Sequence, residues 1–231
     1  MKRFYKDVSV DPVDGGWQAM LDGRGIKTQG RAAQIVPSEK LAQLLAEEWR
    51  AQGEEIDPKS FVFRDMADYA IDVVRKDRPD AIANVLKFSQ TDTLCYRGDP
   101  EDPLFLRQEE LWEPLLQSCE ARHGVKFSRV SGIMYDPQTP ETLEGLRKAL
   151  DKLDDFALAA LQTLTSLAAS LVVGLQALEE GADAETLFAA ANAEEDWQAE
   201  QWGWDYEAED RRKLRLEAFT FAVEFAKAAR A

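Results

Sequence analysis

The chain has 231 residues, 28 Lys and Arg against 43 Asp and Glu, a formal net charge of -15, and two cysteines. That length can bury a hydrophobic core without metal or disulfide staples, and a field of that sign repels phosphate backbones and anionic lipid, which weighs against nucleic acid and peripheral lipid binding. Cys95 and Cys119 have no CxxC spacing, and the start Met1-Lys2-Arg3-Phe4-Tyr5-Lys6 has no apolar export segment, so packed thiols in a cytoplasmic protein are expected.

The first thirty-six residues read as β structure. Phe4, Val8 and Val10 mark one run, Asp11 to Gly16 a turn, Trp17 to Leu21 the returning strand, and Asp22-Gly23 a second tight turn. Ile26 and Ala33 to Val36 would continue the meander. Pro37-Ser38 then offers a helix cap, and Leu41, Leu44, Leu45, Glu48 and Trp49 recur at helical spacing, so this helix should cover the small sheet with Trp49 packed between the two. From about Asp65 the period is helical throughout, with helices expected near 65-77, 79-96, 103-123, 140-151, 155-179, 184-201 and 206-229, and prolines 100, 103, 137 and 140 in the joints. The fold class is therefore α+β, a small amino-terminal β-rich domain (1-64) with its covering helix, followed by an all-α helical domain (65-231). Phe156 to Leu178 carries no charge and is long enough to span a bilayer, but Gln162, Thr163, Thr165 and Gln176 dilute it and acidic residues flank it, so a buried core helix is expected. Its small residues Ser166, Ser170 and Gly174 point to close packing of neighbours.

The inventory for catalysis is thin. The single histidine, His123, forms Glu-x-x-His with Glu120, half of a di-iron carboxylate site whose other half is missing; followed by Gly124, it reads as a residue near a helix end. No Gly-x-Ser-x-Gly elbow is present, and Gly23-Arg24-Gly25 lacks the rest of a phosphate loop. No cofactor and no metal are expected, and the chain is read as a non-enzyme.

The segment Glu194 to Asp210 is different. Eight carboxylates and no basic residue are interleaved there with Trp197, Trp202, Trp204 and Tyr206. Aromatic anchors ringed by charge suit a protein-binding surface; the competing reading is that the tryptophans are core and only the carboxylates face water.

Several stretches, taken together and in order, resemble the family of mitochondrial and alphaproteobacterial assembly factors for the alpha subunit of F-type ATP synthase. They are Arg3-Phe4-Tyr5-Lys6, Leu21-Asp22-Gly23-Arg24, Lys27-Thr28, Glu47-Glu48-Trp49, Gln52-Gly53, Ile56-Asp57-Pro58 and Ala70-Ile71-Asp72. Further along come Thr91-Asp92, Leu94-Cys95-Tyr96-Arg97, Gln108, Trp112, Pro114-Leu115-Leu116, Gln198, Trp202-Gly203, Asp205 and Glu207. The chain departs from the family at Gln29, where proline is usual, and at Thr93, where leucine is. The resemblance implies an α+β domain followed by an orthogonal helical bundle, and a chaperone, working without ATP hydrolysis, that binds free alpha subunit until its partner subunits arrive. A monomer in the bacterial cytoplasm is expected, for which the mitochondrial matrix is the eukaryotic equivalent. The partner site is placed on Gln198, Glu200, Trp202, Asp205 and Glu207. Trp49, Asp72, Asp92, Tyr96, Arg97, Gln108 and Trp112 are family-like positions. The alternative is a carboxylate- or metal-dependent enzyme using Asp72, Asp92 and Glu200 in one pocket.

Overall fold

A computed structural model of the chain describes residues 1-132 and 134-231. Strands β1 (Val8–Val13) and β2 (Gly16–Leu21) form an antiparallel hairpin with Val8 opposite Leu21. Only Asp14 and Gly15 turn, so β1 runs through Pro12 where a longer turn was expected. It is an edge strand of the order β1-β2-β3, where a proline's missing N–H breaks no internal ladder. Asp22 (φ 49°) and Gly23 (φ 75°) both take left-handed backbone, the two-residue turn that suits strand twist, and lead into β3 (Arg24–Gly25). The meander does not continue as regular strands; Lys27 pairs with Ala33 and Trp17 with Val36 only as isolated bridges.

Helix α1 (Glu39–Arg50) starts at Ser38, whose hydroxyl oxygen accepts the Leu41 N–H at 3.0 Å. It packs on β1 and β2 through Leu41, Ala42, Leu45, Ala46 and Trp49, with Leu44 only half-buried. The Trp49 ring meets Tyr5 at 5.5 Å and Phe61 at 4.5 Å between centroids, so it closes an aromatic cluster rather than lying on the sheet alone. Helix α2 (Val62–Tyr69) has no capping side chain of its own. Glu48 supplies one from α1, accepting the N–H groups of Phe63 (2.7 Å) and Arg64 (2.9 Å), although burial pushes its carboxyl up to about 7. The helix widens into a π turn over Ala70–Val74.

Two compact units emerge from the backbone contacts: residues 1-78 with 154-160 and 224-231, and residues 79-153 with 161-223. The first therefore extends past the boundary expected near residue 65. The reason is local: Asp68 accepts from Gln29 N (3.0 Å) and Gln34, and Asp72 from Gly30 N (2.8 Å) and Thr28 Oγ1 (3.1 Å), which ties α2 and its π turn to the loop after β3.

The second unit is mostly helical: α3 (Arg78–Leu86), α4 (Pro103–His123), α5 (Pro140–Leu150), α6 (Asp155–Ala168), α7 (Leu171–Ala177), α8 (Ala184–Ala191), α9 (Ala193–Trp202) and α10 (Tyr206–Ala229), the outer parts of α3, α6 and α10 counting with the first unit. It is not purely α, because β4 (Tyr96–Arg97) pairs in parallel with β5 (Val130–Ser131). The helix expected over 79-96 ends at Leu86 and gives way to 3₁₀ turns. The long apolar helix expected over 155-179 is two. Ala169 takes φ 49°, and Ser170 caps α7 by accepting from Val173 N at 3.1 Å. Asp92, fully buried, accepts from Val172 N (3.0 Å) and Leu94 N (3.1 Å), holding the break from eighty residues away. Of the three small residues, only Gly174 is a close contact, since a Cβ there would come 2.4 Å from Thr165 Oγ1; Ser170 is the cap and Ser166 is exposed. No helix among the described residues is long and apolar enough to cross a membrane. Cys95 and Cys119 are free and buried, and burial pushes the Cys119 thiol up to about 12.

Trp49 is 7 % exposed and central to its aromatic cluster. Trp49→Ala should therefore cost about 3–5 kcal/mol as a large core truncation, measured as the loss of unfolding free energy in urea; a loss below about 1 kcal/mol would mean the cluster bears no weight.

Candidate partner-binding surface

Helix α4 is the base on which this surface is built. Its buried Gln108 accepts from Gly98 N at 2.8 Å and donates to Glu194 at 2.7 Å, and its buried Trp112 donates through Nε1 to the Ala190 carbonyl at 2.7 Å. These bonds fix the end of α8 and the start of α9. Between those helices Asn192 breaks the run expected over 184-201, its amide donating back to the Phe188 carbonyl at 2.7 Å and its oxygen accepting from Arg215 at 2.6 Å. Helix α10 is clamped to α9 by Arg212, whose fork meets both Asp196 oxygens at 2.7 and 2.6 Å, the bidentate geometry of the strongest ion pairs. Arg215 adds Glu195 at 3.3 Å.

What these ties hold out is the turn between α9 and α10. Gly203 adopts φ 84°, ψ 161°, a backbone conformation open to glycine alone, and Asp205 accepts from Ala208 N at 3.1 Å to start α10. Trp202 is 81 % and Tyr206 77 % exposed, and Trp204 is also exposed, with Arg212 stacked 5.8 Å from its ring centre. The tryptophans of this turn are thus surface, not core, and Trp197 behind them is half-buried beneath Arg107.

The carboxylates are less free than their sequence suggests. Glu200 pairs with Arg107, which holds its carboxyl below the usual range; Glu207 pairs with Arg211 at 3.6 Å and Glu209 with Lys213 at 2.9 Å. Gln198 is exposed on α9. The five residues expected to meet a partner, Gln198, Glu200, Trp202, Asp205 and Glu207, therefore do fall on one stretch of surface, but the negative charge there is largely paired.

The family-like positions are structural in their contacts. Arg97 is buried and bound to Glu109 and Glu113, Tyr96 reaches the Gln90 and Asp136 carbonyls at 3.3 Å each, and Trp49, Asp72, Asp92, Gln108 and Trp112 have the roles given above. Asp72 serves its loop, Asp92 a helix start and Glu200 an arginine, and no group of three or more His, Cys, Asp or Glu among the described residues could hold a metal ion. His123 ends α4, where the chain turns left-handed at Gly124; burial lowers its pKa.

One network escaped the sequence reading. Arg129 bridges Glu113 (2.8 Å) and Glu120, and Glu120 also accepts from Phe127 N at 2.8 Å, so this glutamate pins the chain after α4. The seven-residue spacing of Glu113 and Glu120 puts both on one face of α4 and was the available signal. Hydrogen bonding from Arg129, helped by Arg97, holds the Glu113 carboxyl down at about 2. Because that value lies below the ordinary 4.5 of the unfolded chain, the stabilisation is complete above about pH 4.5 and drains away as pH falls toward 2. Glu113→Gln should flatten the acid limb of the stability curve in that window; an unchanged difference between pH 5 and pH 3 would show the pairs to be inert.

Comparison with known proteins agrees with this architecture. The family model described as "ATP12 chaperone protein" matches residues 2–120. The curated "Protein atp12, mitochondrial" of Schizosaccharomyces pombe is 30% identical over 214 residues, spanning 87% of this chain and 74% of that protein. The crystal structure of Atp12 from Paracoccus denitrificans is 34% identical with a TM-score of 0.93 over 99% of this chain and 98% of its own. An aspartate-to-lysine mutant of the Paracoccus protein superimposes equally well, with a TM-score of 0.93 at 34% identity over 99% of this chain and 97% of that one.

Proposed function

Because this chain belongs to the ATP12 chaperone family, we propose that it is an assembly chaperone for the soluble head of F-type ATP synthase, binding free alpha subunit through the α9–α10 turn. The observation that carries the reading is the exposure of Trp202 and Tyr206 on a turn whose base is locked by Arg212, Asp196 and Gln108. Large aromatics presented at low entropic cost supply binding energy, and the surrounding carboxylates favour a basic rim on the client over other apolar surfaces. Such a site covers apolar surface that the true partner subunit later claims, which requires an affinity modest enough to be displaced. The chaperone would act as a monomer, without ATP hydrolysis, in the compartment where the head is assembled, the bacterial cytoplasm or the mitochondrial matrix.

The reading is tested by separating folding from protection. Trp202→Ala removes an exposed ring and should leave the thermal midpoint unchanged, while the yield of soluble alpha subunit in co-expression falls severalfold. Glu207→Lys breaks only an exposed pair worth less than about 1 kcal/mol, so it too should melt normally, yet weaken capture by like-charge contact. Full protection by both variants would move the client site elsewhere.

A further inference from the structure

The acidity of the chain is unevenly placed. Residues 1-78 hold 13 Lys and Arg against 14 Asp and Glu, so nearly all of the net charge of -15 lies beyond them. In the second unit every arginine sits in an ion pair. In the first unit Arg24 and Lys27, both exposed, make no ion pair and no side-chain hydrogen bond among the described residues.

Those two cations stand at a cavity of about 490 Å³. Its apolar wall is Tyr5, Leu21, Ile26 and Trp49, all buried, with Phe4 at the rim 63 % exposed and stacked edge-on against Tyr5 at 5.3 Å. Arg64 also lines it, packed over Phe61. Two carboxylates share the lining and both are occupied: Asp22 accepts from the N–H groups of Lys6 (3.0 Å) and Asp7 (2.9 Å), Asp68 from Gln29 N and Gln34. Both keep their charge, and Asp22 feels that of Arg24, but the lining holds three cations, Arg24, Lys27 and Arg64, against these two carboxylates, so its balance is positive. The Trp49 indole N–H is itself buried, with no acceptor among the described residues.

An aromatic pocket with unpaired cations at its mouth is complementary to an apolar group flanked by negative charge. The same cavity is lined by Arg24 and Gly25, which form the edge strand β3, and an edge strand offers its backbone to an extended chain. We propose that this cavity binds an extended acidic-apolar segment of another polypeptide, one large apolar side chain filling it and a neighbouring carboxylate meeting Arg24 and Lys27. This would be a second polypeptide site, opposite in charge preference to the turn at Trp202 and independent of it.

The test uses the full chain and two dye-labelled, end-capped hexapeptides, each with Leu-Phe at the centre and flanked by glutamates in one and lysines in the other, followed by fluorescence anisotropy. The glutamate peptide should bind, more weakly as salt is raised, and the lysine peptide should bind at least about tenfold more weakly. Arg24→Glu with Lys27→Glu, and separately Phe4→Ser, should each weaken the glutamate peptide by a similar factor while the thermal midpoint stays in place, because all three side chains are exposed. Trp202→Ala should leave peptide affinity unchanged, which keeps the outcome distinct from that of the client experiment. Equal binding of both peptides, or full binding by the doubly reversed variant, would overturn the proposal. So would capture of dodecanoate with no binding of either peptide, which would make the cavity a site for anionic amphiphiles.

Discussion

The buried side chains of Gln108 and Trp112 on α4 are where the helical unit is anchored. Each uses its polar atoms on a neighbour distant in sequence, Glu194 and the Ala190 carbonyl, and each is wholly excluded from solvent. A buried amide or indole left without its partner costs on the order of 1–3 kcal/mol, so the packing of α4 and the position of α8 and α9 are decided together. The exposed aromatic turn follows from that. Trp202 and Tyr206 can stand in water without collapsing onto the core only because α9 is tied at its start to α4 and along its length to α10.

Much of this architecture was legible in the sequence, and what was not has a common cause. Apolar spacing located α1, and caps and prolines bounded α4 and α5 within a residue or so of the expected ends. The breaks at Ala169 and Asn192 were invisible because the groups that stabilise them come from far along the chain. Asp92 lies eighty residues before Val172, and Arg215 twenty-three after Asn192. A window reading sees an unbroken helical run at each; only the fold brings the Asp92 carboxylate to the orphaned Val172 N–H and the Arg215 guanidinium to the Asn192 oxygen. The π turn at Ala70–Val74 is a similar case, its Asp72 carboxylate used by the loop at Thr28 and Gly30.

The partner surface was legible in composition but not in electrostatics. The coincidence of Trp202, Trp204 and Tyr206 with carboxylates marked a segment whose rings are exposed, yet it could not say that Asp196 and Glu195 face Arg212 and Arg215, or that Glu200 faces Arg107. Those pairs convert what looks like a block of repulsion into a set of struts. Only the outermost acids remain available to the proposed partner, so selection by charge would be short-ranged and would sit next to the exposed rings.

The cavity in the first unit was missed because its parts are scattered over sixty residues, Phe4 and Tyr5 from the start, Ile26 and Lys27 from the loop after β3, Trp49 from α1 and Arg64 from α2. The family resemblance touched many of them without giving them a role. Their burial explains part of the pattern: Tyr5 donates its hydroxyl to the Trp49 carbonyl, and Trp49 packs on Phe61, which is ordinary core chemistry. Packing alone does not account for Phe4 held out to solvent beside unpaired Arg24 and Lys27. In a chain with a surplus of carboxylates, leaving two cations unpaired at the mouth of an apolar cavity forgoes stabilisation that nearby acids could provide, and that forgone pairing is what a ligand carrying its own carboxylate would recover.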